Sequence, residues 1–303
     1  MPRFYPYPFD YRNRRCRLAA RGSLVALLCL LLWSPVLAAV TTVDAYIERS
    51  GLAEQLELIA GKVLRNIEEA QAEPDAQTPR LTADQMNRLR SAVKVAFAAD
   101  RLRLAIRTHL DALLPGGDAE LFLKWLDTPF GKRVTAIEVA GSAQEAPRRA
   151  AESASDTLAT VPMARKAELE RILKASGVED RSATLDLNVA RAMGLAAGVP
   201  VRDVGPAYSQ QNRLANPSQD RLEPSRRQIA VALGPQSLAY IAVIYAGLSD
   251  AELHDYAKVL EGSSVRRVIE ATNVAFDRAV SAAAMEVGSI VGESTRSGDR
   301  PNR

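Results

Sequence analysis

From residue 41 onward the apolar positions recur every three or four residues, the period of helices that bury one face. Leu52, Leu56, Ile59, Val63 and Leu64 form one such stripe, and the polar stretch 73–79, with Pro74 and Pro79, closes it. Thr82 and Gln85 have the spacing of a capping box and predict a helix that turns Met86, Leu89, Val93 and Phe97 inward. A third helix is expected from about Asp100, with Leu102, Ile106, Leu110 and Leu113 inside, until Pro115, Gly116 and Gly117 stop it. Residues 118–126 make a fourth, broken at Thr128-Pro129, and a fifth begins at Lys132 and carries Val134 and Ile137. The same order returns later: helices over 165–175 and 178–193, a loop-rich insert over 198–224, a helix over 226–233, and a restart at Pro235 that runs to Ala246. Ser249 and Glu252 form a second capping box, a helix follows to Leu260, and a long last helix places Val268, Phe276, Val280 and Val287 on one side. Strand-like alternation is scarce, so the predicted class is all-α.

Particular residues return as well. Ser50-Gly51, after a short helix with Tyr46 and Ile47, is matched 126 positions later by Ser176-Gly177, after one with Ile172 and Leu173. Glycine suits the left-handed position just past a helix end. The run FLKWLDTPFGKRV, starting at Phe122, is matched 134 positions later by YAKVLEGSSVRRV, starting at Tyr256. Both keep an apolar pair (Trp125-Leu126, Val259-Leu260), an acid (Asp127, Glu261) and two cations (Lys132-Arg133, Arg266-Arg267), but Pro129 and Gly131 have no counterpart within 262–265. These repeats predict two tandem helical-bundle units of related topology, 40–155 and 156–292, joined over 150–162 and followed by a disordered tail, 293–303. In this reading Trp125 and Phe130 pack inside the first unit, and Pro129 and Gly131 set a corner between helices. A cation in a first helical turn opposes the helix dipole, so Lys132 is expected to pair with an acid such as Asp127.

The amino end changes the picture of location. Residues 1–23 hold six arginines against one acid, Asp10; 24–32 is an unbroken apolar run, and Val36-Leu37-Ala38-Ala39 has the small residues of a cleavage site. The pattern predicts a signal peptide over 1–39, cleaved after Ala38 or Ala39, and a periplasmic or secreted product. The run is well short of the roughly 20 residues that span a bilayer, so no transmembrane span is expected after cleavage. Residues 1–39 carry six of the 39 basic and one of the 36 acidic residues, leaving 33 against 35. The basic balance therefore belongs to the leader, which argues against nucleic acid as a partner. Cys16 and Cys29 leave with it, so the mature chain has no thiol for a disulfide, a metal or a nucleophile.

With these motifs in hand, the chain resembles the exported bacterial family known as domain of unknown function 2059. The resemblance is carried by 46–58 and 118–134, with weaker echoes at 172–187 and 249–268. It implies an all-helical exported protein in two copies, the second divergent, and supplies no catalytic residue.

Candidate chemistry is sparse, and no catalytic, cofactor or metal residues are predicted. His109 and His254 are the only histidines, and neither has the second histidine one helical turn away that a zinc site would use. There is no nucleophile elbow and no phosphate loop; Gly131-Lys132 lacks the surrounding motif. His254, Glu252 and Asp255 remain as acid-base candidates for an alternative reading, an envelope-acting hydrolase. Arg101, Arg103 and Arg107 suggest either a membrane-surface helix or a solvated face. Ten aromatic residues follow residue 39, too few to expect a stacking platform. The preferred reading is a non-catalytic binding or scaffold protein of the bacterial envelope, with an envelope protein as partner. A carrier of a small apolar ligand between helices is the other alternative.

Overall fold

The computed structural model describes residues 41–72, 80–114, 116–197 and 219–298, and the side chains among them except those of 219–228 and 292–298. Helices follow one another with short turns, and no strand occurs among the described residues, so the all-α expectation holds. In chain order they are α1 (Thr42–Arg49), α2 (Leu52–Glu57), α3 (Ile59–Ala72), α4 (Ala83–Ala96), α5 (Ala99–Leu113), α6 (Gly116–Leu126) and α7 (Pro129–Ser142). After these come α8 (Glu145–Glu152), α9 (Ala154–Ala159), α10 (Met163–Ser176), α11 (Val178–Ala196), α12 (Gln219–Ile244), a 3-10 turn (Tyr245–Gly247), α13 (Asp250–Glu261) and α14 (Ser263–Gly298).

Local chemistry sets the helix starts and stops. Both expected capping boxes form: Thr82 accepts from the Gln85 amide, and Ser249 from that of Glu252. Thr41 and Asp44 make a third. Gly51 and Gly177 take left-handed φ values of 72° and 66°, as expected where a helix must turn sharply into the next. At the Leu126–Pro129 corner, Thr128 accepts from the Gly131 amide and Pro129 occupies the first helical turn, where its missing N–H is not needed. Gly131 has ordinary backbone angles but no room. A Cβ there would collide with the Trp125 carbonyl oxygen and lie 2.9 Å from Leu126 Cα.

Several boundaries differ from expectation. The helix after the corner starts at Pro129 rather than Lys132, and the stripe 52–64 is divided at Leu58. The expected joint over 150–162 is helical, and its α8 and α9 pack on α12 because Pro147 and Ala150 face inward. Helix α12 passes through Pro235 without a restart, since a proline interior to a long packed helix removes one donor without ending the tertiary contacts on either side. It begins at Gln219, inside the insert expected over 198–224, whose earlier part lies outside the described residues. Helix α14 continues to Gly298, past the expected start of the tail. The leader and the polar stretch 73–79 also lie outside the described residues.

The core runs across both expected units. Phe97, Ile47, Leu56, Leu102 and Ile106 from the first, and Leu169, Ile172 and Leu253 from the second, are almost wholly buried in one continuous cluster. Helix α14, 36 residues and so about 54 Å long, lies against α4, α5, α6 and α11. By its contacts the chain from Thr41 forms one compact unit.

Two surface ion pairs tie the halves reciprocally. Arg133 of α7 pairs with Glu252 of α13, and Arg267 of α14 pairs with Asp118 of α6 at 2.6 Å. The two arginines are 134 positions apart, and so are the two acids. Gly51 lies against Val139 and Gly177 against Asn273, again positions 134 apart.

Candidate functional site

Between α1–α3, α6, α7 and the helices α11 to α14 lies a cavity of about 770 Å³, within the usual range for small-molecule sites. Its polar floor is assembled from six elements. Glu138 sits on α7, in a stretch from Val134 to Gly141 where it is the only charged residue. Its Oε1 accepts hydrogen bonds from two phenols: Tyr245, in the 3-10 turn, at 2.6 Å, and Tyr256, on α13, at 2.7 Å. Burial pushes the Glu138 carboxyl above its ordinary range, and the two phenols and the nearby Arg181 charge oppose that only in part. Burial, and then the Glu138 charge, raises both tyrosines well above the usual value, so they remain donors.

A second pair flanks the first. Thr272 of α14 donates its hydroxyl hydrogen to the Val268 carbonyl at 2.7 Å, so at 2.8 Å it accepts from Tyr46 of α1. Arg181, in the first turn of α11, donates through Nη1 to the Ser176 carbonyl at 3.0 Å and to Asn273 Oδ1 at 2.6 Å. Burial draws its pKa down, while the hydroxyls of Tyr46 and Tyr256 and the Glu138 carboxylate act the other way. On another part of the wall, Asp186 accepts from Asn66 at 3.1 Å, and burial pushes its carboxyl up to about 6. Lys62 is lowered by burial and by Arg65.

Five of the ten aromatic residues that follow residue 39 gather at this floor. Tyr46, Phe122, Trp125, Tyr256 and Tyr245 follow one another with ring centroids 5.5–6.1 Å apart, and Trp125 lies nearly parallel to both Phe122 and Tyr256. Trp125 therefore does not pack within the first half alone: it is half-buried, stacks on a ring from the second half and forms part of the cavity wall. Phe130 meets Trp125 edge-on and lies under the Arg133 guanidinium. Leu126 is buried beside them.

The other candidate residues have structural surroundings. Asp127 pairs with Arg49 at 2.5 Å rather than with Lys132, because the last turn of α1 packs on α6 while Lys132 projects into solvent. Ser50 and Ser176 line the cavity, and their hydroxyls donate to the Ile47 and Leu173 carbonyls of their own helices. His254, Glu252 and Asp255 do not converge. Glu252 is taken up by Ser249 and Arg133, His254 Nδ1 by Glu168 and Arg171, and Asp255 is exposed. His109 lies near Arg278, and burial, then that charge, disfavours its imidazolium. Arg101, Arg103 and Arg107 pair with Glu286, Glu48 and Asp44, which gives the arginine face of α5 a place within the fold. Among the described residues no group of three or more His, Cys, Asp or Glu could hold a metal. By length and composition the stretch Ile229–Gly247 could cross a membrane; in this fold it packs on α8 and α11.

Sequence reasoning missed Glu138, Arg181, Tyr46, Tyr245, Tyr256 and Thr272. Two signals were present: a lone acid within an apolar helical stretch, and a cation in a first helical turn, where the dipole disfavours it. Arg181 also follows Glu179 and Asp180, whose charges mask it as ordinary surface. Chemically, the floor offers hydrogen-bond donors and acceptors and one guanidinium in a water-poor setting, without a nucleophile aligned to a base. Comparison with protein-family models, curated proteins and solved structures found no match, so the family resemblance rests on the sequence motifs alone.

Proposed function

We propose that this chain is a non-catalytic binding protein that holds a small organic ligand between its helices. The observation that carries this reading is the cavity, which joins an apolar wall to a polar floor of Glu138, Tyr245, Tyr256 and Arg181. A buried polar group is retained at a cost in stability, and a bound ligand that uses it is one compensation. Native mass spectrometry of the protein isolated from its own host tests this. The expected result is a co-purifying organic mass that is lost in Leu56→Trp, which fills the cavity. Wild type and variant with identical adduct-free spectra, and no uptake of the neutral probe N-phenylnaphthylamine by either, would refute it.

The same proposal includes export by the arginine-rich leader, supported by the apolar run 24–32 and the small residues before position 40. Amino-terminal sequencing of the protein from cells should begin at Ala39 or Val40. It also treats 40–155 and 156–292 as two related units, supported by the two left-handed glycines and the reciprocal ion pairs.

A further inference from the structure

Most arginines on the surface are neutralised. Arg49, Arg101, Arg133 and Arg267 each pair with a carboxylate. Arg181, which lines the cavity, pairs with none among the described residues, and its hydrogen bonds there go to two neutral acceptors through Nη1 alone. Those two bonds use both Nη1 hydrogens and fix the plane of the guanidinium. The Nε–Nη2 edge is left with parallel N–H donors, the geometry that meets a carboxylate in a two-pronged bond.

The adjacent acid does not fill that role. Glu138 acts on Arg181 only through space, and its Oε1 is occupied by two phenols. Lys62 and Arg65 line the same cavity, but so do the acids Glu57, Glu69, Glu145, Glu152 and Asp186, so it is the open Nε–Nη2 edge of Arg181, rather than the field of the whole cavity, that would receive an anion. Leu52, Leu56, Leu185, Ile241, Ile244 and Phe276 give part of the wall an apolar surface. The floor itself has one guanidinium and no second cation, which matches a monoanion rather than a phosphate dianion.

We propose that the ligand is a long-chain monocarboxylate, with its carboxylate held side-on by Arg181 and its alkyl body along the apolar wall. This rests on the reading of the cavity as a ligand site. The test uses the purified, delipidated full chain with dansyl-labelled undecanoate as reporter and dodecanoate, its methyl ester and dodecyl phosphate as competitors. A two-pronged charged bond predicts that dodecanoate competes at least about ten-fold more tightly than the ester. Arg181→Gln should remove that preference, and Arg181→Lys should restore part of it, while both still take up neutral N-phenylnaphthylamine. Equal competition by acid and ester, an unchanged preference in Arg181→Gln, or tighter competition by the phosphate overturns the proposal. Because Arg181 also holds the Ser176 carbonyl and Asn273, Arg181→Gln could fail to fold; the acid-to-ester ratio of the wild type then decides alone. Uptake of the neutral probe without a preference for the acid sinks only the carboxylate, whereas no uptake of any probe sinks the binding reading as well.

Discussion

The two halves of the chain solve the same corner differently. In the first, the turn from α6 to α7 is built by Thr128, Pro129 and Gly131, with Gly131 pressed against the backbone of Trp125 and Leu126. In the second, the turn from α13 to α14 uses Gly262 with φ −60° and ψ 135°, angles open to most residues. A Cβ on Gly262 would lie 3.1 Å from the Val259 carbonyl, a tight contact but not a collision. Beyond the corner, α7 carries Glu138 where α14, 134 positions later, carries Thr272. The two halves agree where they cross-brace each other, at Arg133–Glu252 and Arg267–Asp118, and differ where they face the cavity. The bracing sets the helix frame; the side chains facing inward give the cavity two unlike walls.

The largest test of this contrast lies at the corners. Gly131→Ala should destabilise by about 3 kcal/mol or more, since backbone rather than a yielding side chain blocks the new methyl, and Gly262→Ala by less than about 1 kcal/mol. Chemical denaturation of both variants measures it, and equal losses would remove the distinction between the corners. Next, Thr272→Val leaves the Tyr46 hydroxyl without its acceptor in a buried place and should lose roughly 1–3 kcal/mol. Thr272→Ser, which keeps the acceptor, should lose less.

Glu138→Gln is expected to act in the opposite direction to Thr272→Val at neutral pH. The folded chain holds the Glu138 proton more tightly than the unfolded chain, so this group favours folding below the ordinary glutamate range and loses that contribution as pH rises through its raised value. The variant should therefore gain on the wild type as pH increases from about 4, seen in thermal midpoints across that range. A flat difference between the two proteins would place Glu138 in water-like surroundings.

The smallest effect belongs to the cross-braces. Arg267 and Ser264 hold Asp118 at about 2, and the Ser249 amide and Arg133 hold Glu252 at about 2, both below their ordinary values. Their contribution is present above the unfolded values and is lost as pH falls from about 4.5 towards 2. Asp118→Asn and Glu252→Gln should each flatten the acid limb slightly and to a similar degree. Added salt should shrink both effects, since both arginines are half exposed to solvent. A much larger effect from one would show that the braces are not equivalent.

Much of the frame was legible because its signals are local. A capping box joins residues three apart, a left-handed glycine answers to the helix it ends, and an amphipathic stripe repeats within one turn. Hence Thr82, Ser249, Gly51 and Gly177 perform as their spacing predicts. Where neighbours compete for one group, spacing was not enough: Asp127 is near Lys132 in sequence, but the packing of α1 on α6 brings Arg49 to it instead. Pro235 is likewise a breaker by local rules, and α12 continues through it because packing on both sides outweighs one missing hydrogen bond.

By itself, then, the sequence determined the helical class, the caps and most turns, because these depend on atoms within a few residues of one another. Only the tertiary structure decided where Glu138 finds its phenols, 107 and 118 positions away, and where Tyr46 finds Thr272, 226 positions away. Such bonds leave no periodic trace along the chain. They exist because burial makes an unpaired polar group costly, and which partners are within reach is settled by how the helices pack.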